Sequence, residues 1–152
     1  MNDDFTDLLR ELLAAEVDFA IVGAHALAAH GVSRATGDLD VFLRADHAKA
    51  ARVMQALARF GAPIEAHAIV TEDFAHPGSA YQMGQPPGRI DLLTAIDGVS
   101  WDEVAQGRCY REVEGLRVPF LGRAELVKNK AATGRAKDAL DLVLLAEAER
   151  QG

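Results

Sequence analysis

The chain has 152 residues, 49% of them hydrophobic and 26% charged, the proportions of one globular domain with a single sizeable core. A net charge of -7 argues against broad electrostatic capture of nucleic acid, and a lone cysteine, Cys109, excludes an intramolecular disulfide or a multi-cysteine zinc site. No apolar run reaches the roughly 18 residues of a membrane span, and the start, Met1-Asn2-Asp3-Asp4, is acidic where a signal peptide is basic, so a cytoplasmic location is expected.

In chain order, Phe5, Leu8, Leu9, Leu12 and Leu13 recur at helical spacing and predict an amphipathic helix over 5–17. Residues 19–22 form a short apolar run stopped by Gly23, and the alanine-rich stretch from Ala24 to His30 ends at Gly31. That pattern predicts a strand, a tight turn and a short helix closed by the polar tip of His30. Residues 39–43 predict a half-buried strand. Asp46 is placed to cap a helix over 47–60, with Ala50, Val53, Met54 and Leu57 on its apolar face and Gly61 at its end.

Residues 64–70 predict a further strand, 71–87 a loop with a strand around Tyr81, and 89–93 another strand. Residues 112–118 read as a hairpin or bent strand, and 123–149 as helix interrupted near Thr133-Gly134. No repeat or linker divides the chain. The expectation is a single α/β (or α+β) domain over 1–152, with a core at about 5–121, a helical part at about 122–150 and a mixed sheet flanked by helices.

Asp38 and Asp40 are one residue apart at a predicted strand, so both side chains project from one face while Leu39 and Val41 turn to the other. Two carboxylates that close repel unless a cation sits between them, which suits a hard divalent metal, with magnesium expected. The bland alternative is a pair at a strand mouth satisfied by loop amides and Arg34. The apolar Val41-Phe42-Leu43 that follows excludes a calcium loop, and the 84–89 segment lacks the lysine and spacing of a phosphate-binding P-loop. Between Arg123 and Lys137 five basic residues face one acid, a local charge of +4. This stretch is either a solvated helix face or the complement of an anionic ligand.

Upstream of the acids lies Val22-Gly23-Ala24, then thirteen residues, then Asp38-Leu39-Asp40-Val41. This arrangement resembles the signature of the DNA polymerase β-like nucleotidyltransferase superfamily. Ala26, His30-Gly31 and Arg34-Ala35-Thr36-Gly37, with Lys130, Gly134-Arg135-Ala136-Lys137-Asp138 and Asp141, are similar to its small bacterial branch of AbiE-type toxins and minimal nucleotidyltransferases. Ala24 departs from the usual Gly or Ser, which removes a side-chain hydrogen bond but leaves backbone amides to meet phosphate.

The resemblance implies a nucleotidyltransferase-like fold and transfer of a nucleoside monophosphate from a nucleoside triphosphate, ATP among the candidates, to a hydroxyl acceptor. It implies magnesium, or manganese, held by Asp38, Asp40 and a third carboxylate. Asp91 is the best candidate for the third, about fifty residues downstream in its own short strand, with Asp97 as fallback. Asp91 would also help deprotonate the acceptor. Gly23, Ala24, Arg34 and Thr36 would lie along the nucleotide, and Lys130 and Arg135 would bring positive charge to the triphosphate, with Asp138 holding one of them in position. The acceptor classes implied are tRNA, a partner protein in a toxin–antitoxin system, or a small molecule. A non-catalytic member that binds a nucleotide or a partner is the alternative reading.

Overall fold

Phe19 and Ile21 belong to one buried cluster and Ala20 and Val22 to another, so this four-residue strand divides two apolar layers rather than lining one. The computed structural model describes residues 1–33 and 37–151. The elements are α1 (Asp3–Ala14), β1 (Phe19–Val22), α2 (Gly23–Ala29), β2 (Leu39–Leu43), α3 (His47–Phe60), a 3-10 turn (Thr71–Phe74), β3 (Ala80–Met83), β4 (Ile90–Leu93), α4 (Trp101–Gly107), β5 (Cys109–Val113), β6 (Leu116–Phe120), α5 (Arg123–Thr133) and α6 (Ala136–Gln151). The strands form one mixed sheet in the order β3-β4-β2-β1-β6-β5. β2 runs antiparallel to β1 and parallel to β4.

On one face, Leu8, Leu9 and Leu12 of α1 and Val53 and Leu57 of α3 pack on Leu39, Val41, Ile90 and Leu92. Each such side chain stabilises the fold by about 1.5–3 kcal/mol relative to exposure. On the other face, Leu27 of α2, Val104 of α4, Leu126 of α5 and Leu145 of α6 cover Ala20, Val22 and Phe42. Helix ends follow local chemistry. The Asp46 carboxylate accepts from the amides of Ala48 (2.7 Å) and Lys49 (3.3 Å), and Gly61 ends α3 at φ 91°. The first helix stops before Val17 because Glu16 turns into the left-handed region and the Val17 amide bonds back to the Leu12 carbonyl at 3.0 Å.

One predicted strand is absent. Residues 64–70 close into turns instead, with the amide of His67 on the Pro63 carbonyl (3.0 Å), Ala68 on Glu65 (3.1 Å) and Ile69 on Ile64 (2.8 Å). Ile64 and Ile69 both reach the core, and folding the chain back on itself delivers two residues five apart without a strand's alternation. One helix, α4, goes unread in the composition although Ser100 and Glu103 form a capping box that announces it. Elsewhere the strand, hairpin and helix order matches the expectation, with Gly134 at φ 66° separating α5 from α6.

Candidate functional site

Because β2 and β4 run parallel in register, Asp40 and Asp91 are direct neighbours across the sheet. Alternation sends Leu39, Val41, Ile90 and Leu92 into the α1/α3 layer. The two carboxylates are therefore directed to the opposite face, at the end where α5 meets α6. Asp38 sits just before β2, its Oδ1 accepting from the Arg89 amide at 3.1 Å. The Asp38 backbone also receives a hydrogen bond from His25 of α2, whose pKa is lowered chiefly by burial.

Arg89 lies beside two of the three carboxylates. Arg89 Nε lies 3.0 Å from Asp91 Oδ1, and Nη2 lies 3.2 Å from Asp91 Oδ2 and 3.6 Å from Asp38 Oδ2. That does not satisfy the group: Asp91 is only 7% exposed, and its Oδ1 makes no hydrogen bond of acceptable geometry. Burial first, then a hydrogen bond with Asp91 and the negative charges of Asp91 and Asp38, pushes Asp40 up to about 6, with Arg89 opposing. Gly23, at φ 68°, lies directly under Asp40; a Cβ there would collide with Asp40 Oδ2.

Across the cleft stands a second charged group with the opposite character. Lys130, 8% exposed, places its ammonium 3.2 Å from both Asp138 Oδ1 and Asp141 Oδ2. Asp138 also accepts from Thr133 Oγ1 (2.5 Å) and Arg135 Nε (2.6 Å). Burial alone would raise the Asp138 pKa, yet the hydrogen bonds from Arg135, Thr133 and Lys130 outweigh it and hold the carboxyl well below the usual range. Arg135 keeps 57% of its side chain exposed while making this bond.

The two groups face one another in a cleft of about 500 Å³. Gly23, Ala24, Asp38, Asp40, Arg89, Asp91, Lys130, Arg135, Lys137 and Asp141 are among the residues that line it. The structure thus brings together Gly23, Ala24, Asp38, Asp40, Asp91, Lys130 and Arg135. Arg34 and Thr36 lie outside the described residues. Asp97 also lines the cleft, within the turn closed by the Ile96–Val99 bridge, and its carbonyl accepts from Asn129 Nδ2 at 2.8 Å. Trp101 packs edge-on against Phe42 at 5.5 Å, on the wall behind the site.

Thr133 is a site residue that sequence reasoning missed, whereas Arg89, paired with Asp91, was within its reach. Arg89 had a signal, since residues two apart in an extended segment share a face and Arg89 precedes Asp91 by two. Thr133 had none beyond its place at a helix end.

No family model matches the sequence, and no curated protein matches it. Solved structures do match. A "putative nucleotidyltransferase" from Thermotoga maritima superposes with a TM-score of 0.60 at 14% identity, over 94% of this chain and 90% of its own. An "antigenic nucleotidyltransferase-like protein" from Paracoccidioides brasiliensis gives 0.52 at 21% identity, over 93% and 74%. The class is thereby set at the level of architecture: this chain has a nucleotidyltransferase-like fold, a six-stranded mixed sheet flanked by helices. Among the described residues no helix is long and apolar enough to cross a membrane.

Proposed function

We propose that this protein is a metal-dependent nucleotidyltransferase of the cytoplasm, acting as one domain over residues 1–152. The carrying observation is the set of three carboxylates gathered on β2, β4 and the residue before β2, one of them destabilised as an anion, facing basic side chains across the cleft. A site that raises Asp40 to about 6 and leaves Asp91 Oδ1 without a good donor has the donor set and the charge deficit that a divalent cation relieves. Asp38, Asp40 and Asp91 would hold magnesium or manganese. When bound, the metal supplies Lewis acidity to the phosphates and to the attacking oxygen.

The remaining chemistry belongs to the chain. The backbone at Gly23 and Ala24 lets phosphate oxygens approach closely, and the methyl of Ala24 forgoes only a side-chain hydrogen bond. Asp91 accepts the proton of the acceptor hydroxyl. The oxygen attacks the α-phosphorus, the bond to the β-phosphate oxygen breaks, and pyrophosphate leaves. Arg135 and Lys137 meet the leaving charge, because Lys130 is already shared between two carboxylates and serves to fix the α5–α6 junction. Arg34 and Thr36 belong to the same nucleotide-binding reading through the motif preceding Asp38. The donor is a nucleoside triphosphate such as ATP. The acceptor is a hydroxyl of tRNA, of a partner protein or of a small molecule, and the AbiE-like motifs favour a toxin–antitoxin setting.

One observation favours a second reading. Arg89 spans Asp38 and Asp91 in the manner of a permanent counter-ion, as a non-catalytic nucleotide- or partner-binding member would require. The two readings separate when wild type and Asp40→Asn are incubated with each α-labelled triphosphate, magnesium, and tRNA, protein-extract or aminoglycoside acceptors. Label on an acceptor with wild type and its near loss with the variant supports transfer; label in neither, or equally in both, defeats it.

A further inference from the structure

Away from the cleft, beyond the far end of β2, two imidazoles and a carboxylate converge from two separately anchored segments. His47 is the first residue of α3, and Glu72 and His76 flank the end of the 3-10 turn. One nitrogen from each histidine and a carboxylate oxygen of Glu72 all lie within 4.8 Å of one another. Glu72 Oε1 is 3.6 Å from His47 Nδ1, Glu72 Oε2 is 3.0 Å from His76 Nε2, and the two rings meet edge to face with centroids 4.8 Å apart.

Both supports are rigid. The Asp46 carboxylate fixes the helix start that carries His47. The other segment is fixed by the bond from the Val70 amide to Asp73 Oδ2 (2.8 Å) and by the burial of Phe74 and Ala75, which lie between Glu72 and His76. The three ligand side chains are exposed, so each can rotate onto an ion without disturbing the core.

We propose that His47, Glu72 and His76 bind a zinc ion, clamping the start of α3 to the 71–76 segment. Two nitrogens and one carboxylate oxygen form a borderline donor set that selects zinc over magnesium or calcium, and three protein ligands leave a fourth position for water. The site differs in chemistry and place from the carboxylates of the cleft, which supply oxygen alone at the opposite end of β2.

The test is calorimetric titration with zinc of wild type, His47→Ala, His76→Ala and Asp40→Asn, with cobalt substitution read by visible absorption and folding checked by circular dichroism. The expected result is one equivalent of zinc with nitrogen-ligated cobalt bands in wild type and in Asp40→Asn. Affinity should fall by roughly tenfold or more in each folded histidine variant. Absence of that equivalent, its persistence in the histidine variants, or its loss in Asp40→Asn alone overturns the proposal. Nucleotidyl transfer is read by label on an acceptor and this site by zinc binding at the histidines, so the two readings fail independently.

Discussion

The two charged groups on either side of the cleft are built from the same residue types and reach opposite electrostatic states. At the Lys130 side, two cations and two carboxylates meet with short hydrogen bonds, and Asp138 is held strongly ionised. At the Asp40 side, three carboxylates gather beside the Arg89 guanidinium, and Asp40 is driven toward its protonated form. Balanced charge buried in the first case favours structure; like charges gathered in the second raise Asp40, a strain that a bound cation would relieve. On the proposed reading, the first is a positioning network and the second a metal-binding site.

Substitutions sharpen that contrast. The largest effect is expected for Asp138→Ala, which leaves Arg135 without its main partner and Lys130 with one carboxylate. Loss of one member of a buried pair costs about 3–5 kcal/mol, and urea unfolding measures it. Next is Asp40→Asn, where label transfer should fall roughly a hundredfold or more while thermal stability of the metal-free protein holds or rises. A large drop in melting temperature for this variant would place Asp40 in the structural class with Asp138.

Arg89→Ala comes third. Removing the guanidinium beside the acids should lower metal-free stability by roughly 1–3 kcal/mol, and magnesium should then raise the melting temperature more than it does in wild type. An equal magnesium response in both proteins would mean that Arg89 and metal do not compete for the same carboxylates.

The smallest effect is one of sign. Folding pushes Asp40 from its ordinary 3.8 up to about 6, so the folded protein holds an extra proton between those values. The associated stability is complete below the lower value and declines as pH rises through the upper, by about 1 kcal/mol or less once solvent screening at the cleft is allowed for. Asp138 runs the other way: its contribution is present above the ordinary carboxylate range and is lost as pH falls through its lowered pKa. Differential unfolding of wild type and Asp40→Asn across pH 4 to 7 should show the declining slope in the first and not in the second.

How legible each part was follows from the range of the physics involved. Asp38 and Asp40 could be read because strand alternation is local, and Gly23 because a small residue must end β1. Asp91 required knowing that β4 lies beside β2, which only a match to a family pattern supplied. The spurious strand at 64–70 arose because two isoleucines and a valine suggest extension, whereas Ile64 and Ile69 reach the same core through turns. The pairing of Lys130 with Asp138 and Asp141 depends on how α5 meets α6 at Gly134, and no periodicity within either helix encodes that angle.

The parallel alignment of Asp40 with Asp91 also determines where this chain can gain or lose residues. At the exposed turn over residues 65–68, extra length would be absorbed at the surface at little thermodynamic cost. Within β4 the tolerance is nil in odd numbers. A single residue inserted between Ile90 and Asp91 would rotate the carboxylate into the layer packed by α1 and α3 and bring an aliphatic side chain to the cleft. Two inserted residues would restore the facing but slide the acid one pleat along its neighbour. Length variation in proteins built this way should therefore collect in the connections and spare the phase of the strand.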